Sequence, residues 1–60
     1  MNQKLSLQAI DEKIQLIRKT AQEMTELAED FPAIYRNSRR ILASTKMLEL
    51  NISDIKDLVE

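Results

Sequence analysis

Cysteine and histidine are both absent from the 60 residues. Disulfides, thiolate metal sites, an imidazole general base and the commonest zinc ligands are therefore excluded. Glycine and tryptophan are also absent, and there is one proline, one phenylalanine and one tyrosine. With sheet-favouring aromatics this scarce and Leu, Ile, Ala, Glu, Lys, Arg and Gln plentiful, composition favours helix. Nine basic residues stand against ten acidic ones, for a net charge of −1. That balance gives no bulk attraction to nucleic acid or to an anionic membrane. No apolar run is long enough to span a bilayer. Met1-Asn2-Gln3-Lys4 is not followed by a secretory apolar segment, so a cytoplasmic location is expected.

A chain this short makes one domain and buries only about 60% of its unfolded surface. Domains of this size rely on disulfides, a metal or a partner subunit. With cysteine and histidine missing, self-association is the ordinary route left.

What is present is a seam. Leu7, Ile10, Ile14, Ile17, Ala21, Met24, Ala28 and Phe31 follow alternating steps of three and four, and none is polar. This is the coiled-coil spacing of a helix. Leu16 and Leu27 widen the stripe, as suits a bundle. Ser6 is placed to cap the helix and Asp11 and Glu12 lie toward its positive end. Pro32 ends it, because proline disfavours helical dihedrals at Phe31 and is welcome in the first turn of the next helix.

The same spacing returns in Ile34, Ser38, Ile41, Thr45, Leu48, Ile52, Ile55 and Val59, flanked by Tyr35, Leu42 and Leu58. Ser38 and Thr45 interrupt it with small polar groups, which bond back to a carbonyl one turn earlier and let helices approach closely. Asn51-Ile52-Ser53-Asp54 offers a break with Ser53 as a cap, but the unbroken phase through Ile55 and Val59 favours one helix. The expected fold is all-α. Helix one covers about 6–30, a turn about 31–33 and helix two about 34–58, antiparallel and each about 36 Å long.

Two helices share one contact line, and these stripes are wider than one line needs. The expected interface residues are Leu7, Ile10, Ile14, Ile17, Ala21, Met24, Ala28, Phe31, Ile41, Leu48, Ile52 and Ile55. They serve a homodimeric four-helix bundle or a homotetramer.

Charge placement near the turn is unusual. Glu23, Glu26, Glu29 and Asp30 crowd the end of helix one, and Arg36, Arg39 and Arg40 crowd the start of helix two, against both helix dipoles. The simplest reading pairs Glu29 with Arg36 and Glu26 with Arg39 or Arg40 across the hairpin. The functional reading makes Arg36, Arg39 and Arg40 a partner-docking surface, or makes Glu26, Glu29 and Asp30 a carboxylate site for a hard cation. No metal or cofactor is expected outright. Ser38 and Thr45 have no base to activate them as nucleophiles. Met24 and Met47 read as core, and Tyr35 is expected to pack over Phe31 as an apolar plug.

Leu27-Ala28-Glu29-Asp30-Phe31-Pro32, followed by Tyr35 and Thr45, resembles the signature of small helical-hairpin proteins encoded in nitrogen-fixation gene clusters. Their typical turn reads Leu-Ala-Glu-Asp-Leu-Pro followed by an aromatic. The match is clearest over residues 24–45. It implies a Rop-like hairpin and a small oligomeric accessory protein, in a family some of whose members have been considered metal-binding. Many members carry histidine before that motif; Thr25 stands there here, which removes the imidazole. The basic Arg39-Arg40 also departs from a more acidic run.

These readings converge on a non-enzymatic accessory or scaffold protein, a homo-oligomeric hairpin that docks on a larger protein. The alternative is a Rop-like RNA-binding regulator using Arg36, Arg39, Arg40 and Lys46, although the weak basic character of helix one (Lys4, Arg18 and Lys19 against Asp11 and Glu12) argues against nucleic acid. A third class, similar to the short sporulation phosphatases, lacks its Ser-x-x-Leu-Asp run: Ser44-Thr45-Lys46-Met47-Leu48 stands apart from it.

Overall fold

The computed structural model describes residues 3–59, with side-chain burial for residues 5–58. Met1 and the side chains of Lys4 and Val59 lie outside the described residues. Helix α1 spans Gln3–Leu27 and helix α2 spans Pro32–Val59. The two pack against each other as a hairpin with extents of 44 × 16 × 12 Å. Its radius of gyration is 14.0 Å, against about 10 Å for a compact domain of this length. The molecule is a rod two helices wide.

The helix limits differ from those expected by a few residues. α1 begins before Ser6, because Gln3, Lys4 and Leu5 are adequate helix formers and Ser6 does not interrupt them. It ends at Leu27, because the chain needs the residues before Pro32 to reverse direction. The Ala28 amide still donates to the Met24 carbonyl, and the Phe31 amide then donates to the Ala28 carbonyl, each at 2.9 Å. Phe31 takes the cap position of α2: its carbonyl accepts from the Tyr35 amide at 2.9 Å. Pro32 follows as the first helical residue, where its missing N–H costs nothing. No non-glycine residue among those described has a positive φ, so this connection works in a chain without glycine.

α2 runs unbroken through Asn51-Ile52-Ser53-Asp54, as its apolar phase implied. No helix among the described residues is long and apolar enough to cross a membrane.

Burial divides the seam in two. Leu7, Ile14 and Ala21 on α1, Ala28 just past its end, and Ser38, Thr45 and Ile52 on α2 are buried. Each recurs every seven residues, and together they form the inner series. Near the turn this line is made of small side chains, which lets the helix axes approach. Away from the turn Leu7, Ile14 and Ile52 form the apolar cluster. The Thr45 hydroxyl donates to the Ile41 carbonyl at 2.6 Å, the back-bond expected of it. No buried side-chain nitrogen or oxygen among the described residues lacks a partner.

Candidate functional site

The remaining seam positions form an outer series: Ile10, Ile17 and Met24 on α1, Phe31 in the connection, and Ile34, Ile41, Leu48 and Ile55 on α2. Three residues along a helix advance about 300°, so this series sits roughly 60° to one side of the inner one. Reversing the direction of α2 brings both outer lines to the same side of the hairpin. Met24 is half-buried, and the other seven are 40–59% exposed. Leu27 and Leu58 are exposed beside them. Phe31 at 59% exposure belongs to this face. Phe31 stays exposed, and Tyr35, expected to pack over it, meets Arg39 through its ring and hydroxyl.

The opposite side of the hairpin is polar and grooved. Residues four positions after the inner series sit about 40° the other way. Arg18 and Thr25 from α1, and Leu42 and Glu49 from α2, occupy this line. With Gln22, Tyr35, Arg39, Ala43, Lys46 and Leu50 they line a groove of about 680 Å³. Two clusters fix its walls. Glu49 Oε2 accepts from Arg18 Nη1 at 3.0 Å and from Gln15 Nε2 at 2.9 Å, tying the helices together. Toward the turn, Arg39 lies with its guanidinium carbon 5.8 Å from the Tyr35 ring centre. Its Nη1 also donates to Tyr35 Oη at 3.2 Å. Among the described residues neither Arg39 nor Lys46 forms an ion pair.

Of the three arginines suggested for docking, only Arg39 enters this groove. Arg36 and Arg40 are exposed but do not line it. The cross-turn pairs expected for Glu26 and Glu29 do not form; the ion pair among the described residues is Arg18 with Glu49. The charges near the turn are exposed to water, and the ion pair that ties the helices together lies mid-rod. Glu26, Glu29 and Asp30 are likewise exposed and not gathered. No group of three or more acidic residues among those described is placed to hold a metal ion.

The role of Arg18 beside the α2 cations was not singled out by charge runs, since it stands in a mixed segment of α1. The usable signal is its place on the seven-residue register, which aligns it with Leu42 and Glu49. No family model, characterised protein or solved structure matches the chain.

Proposed function

We propose that this chain is a non-enzymatic scaffold or accessory protein that acts as a homodimer, two hairpins joined through their outer series into a four-helix bundle. The carrying observation is the outer series itself, a large-residue apolar line on both helices left 40–59% exposed apart from Met24. Seven large apolar side chains left this exposed along one line are the kind of patch that a standard interface of ~800 Å² per partner covers. Residues beside the line are poor in charge. Ser6, Thr20, Asn37, Ser44 and Asn51 accompany Leu27 and Leu58, with Lys13 the one charged residue at that spacing. Depletion of charge marks the centre of an interface. A second copy fits because the line runs along both helices and can meet itself about a two-fold axis.

Stability supports the same reading. The inner series holds three large apolar side chains, worth roughly 1.5–3 kcal/mol each when buried. A lone hairpin has too little core for its length.

The test is mass by light scattering across a concentration series. The expected mass is twice the 7.0 kDa of the chain, and replacing Ile17→Glu together with Leu48→Glu should abolish pairing. A helical, folded monomer at micromolar concentration rejects the proposal, and a tetramer replaces the dimer with a higher bundle. The turn motif supports nitrogen fixation as the setting. Location of the gene outside every nitrogen-fixation cluster would remove that setting and leave the assembly untouched.

A further inference from the structure

The groove lies on the side of the hairpin away from the outer series, so pairing of two copies leaves it open. Its composition is mixed in a specific way. Leu42, Ala43 and Leu50 supply apolar surface, and Arg18, Arg39 and Lys46 rim it against the single carboxylate of Glu49. Arg18 is engaged by Glu49, while Arg39 and Lys46 have no acidic partner among the described residues. Both belong to α2 and are spaced seven apart, so they stand on one face two turns from each other, about 10 Å along the axis. Arg39 is oriented in advance by Tyr35, through the ring and the hydroxyl. Such preordering reduces what a ligand must immobilise.

We propose that this groove docks an acidic amphipathic helix of a larger protein partner, its carboxylates meeting Arg39 and Lys46 and its apolar side chains resting on Leu42 and Leu50. The inference rests on the scaffold reading and specifies where the partner sits. An acidic peptide is favoured over a nucleic-acid backbone by the apolar lining: phosphates gain nothing from Leu42 and Leu50, whereas an amphipathic helix covers both. The spacing of the two unpaired cations also matches carboxylates one heptad apart on one face of a helix.

The experiment is fluorescence anisotropy on the full chain with a labelled helical peptide carrying Leu on one face and Glu on the other. A peptide with Lys in place of Glu and a single-stranded oligouridylate serve as comparisons. The Glu peptide should bind, weaken as salt rises, and lose about tenfold or more in affinity in the double variant Arg39→Glu, Lys46→Glu. The neutral pair Arg39→Gln, Lys46→Gln should lose less, and Arg36→Glu with Arg40→Glu should lose little. Circular dichroism confirms that each variant remains helical. Absence of binding, equal binding of the Lys peptide, equal loss in the Arg36, Arg40 variant, or tighter binding of the oligouridylate would each overturn the proposal. A dimer that ignores the Glu peptide rejects only the groove. A monomer that binds it rejects only the pairing.

Discussion

Ala21 and Thr45 are each 1% exposed, on opposite helices of the inner line. Close approach of the helices depends on such small side chains, so enlarging one is the sharpest residue-scale perturbation. Ala21→Leu adds volume where there is no space and should destabilise the fold by about 1–3 kcal/mol, read as a lower urea midpoint. The Thr45 hydroxyl is bonded within its own helix, so Thr45→Val keeps the shape and removes a group that serves no partner across the interface. Its effect should stay within about 1 kcal/mol. The Arg18–Glu49 pair is partly exposed. Arg18→Ala should therefore cost no more than about 1 kcal/mol and matter less at high salt. A larger, salt-independent loss would mean that Arg18 packs as well as pairs.

α2 shows most clearly what the sequence can and cannot convey about an element. Its continuity was legible, because Ile52, Ile55 and Val59 keep the phase set by Ile41, Thr45 and Leu48, and a break would have shifted them. Ser53 therefore lies inside the helix and is exposed. As an interior residue it is a poorer helix former than alanine, so Ser53→Ala should raise stability by a few tenths of a kcal/mol. As a cap its loss would have cost about 1 kcal/mol, so the sign of the change in the thermal midpoint decides between the two. The helix ends were less legible. Where the chain turns depends on how many residues the reversal consumes, and neither Ser6 nor Phe31 states that locally. The split of one seam into buried and half-exposed lines was also hidden. Periodicity marks a stripe, but which half of it faces the sister helix depends on how the hairpin closes. The small residues at 21, 28, 38 and 45 were the available clue. The groove was hidden for the same reason: Arg18 and Lys46 are far apart in sequence and line one groove only once the helices lie antiparallel.

For the whole molecule, the rod shape decides how stability should behave. A structure two helices wide has no enclosed centre, and the apolar material missing from one hairpin is present on its own outer face. Each half-exposed residue of that face gains on the order of 1 kcal/mol when covered, so pairing and folding become one process. Mass action then links the thermal midpoint to concentration. A tenfold rise in chain concentration changes the association free energy by about 1.4 kcal/mol, which for a bundle of this size raises the midpoint by roughly 5 °C. A melt followed by circular dichroism over two decades of concentration should therefore climb steadily. Ile17→Glu with Leu48→Glu should abolish both the climb and much of the helicity, since the isolated hairpin has little else to hold it. Arg39→Glu with Lys46→Glu, on the other side of the rod, should leave the climb intact. A midpoint independent of concentration in the native chain would place the outer series against something other than a second copy.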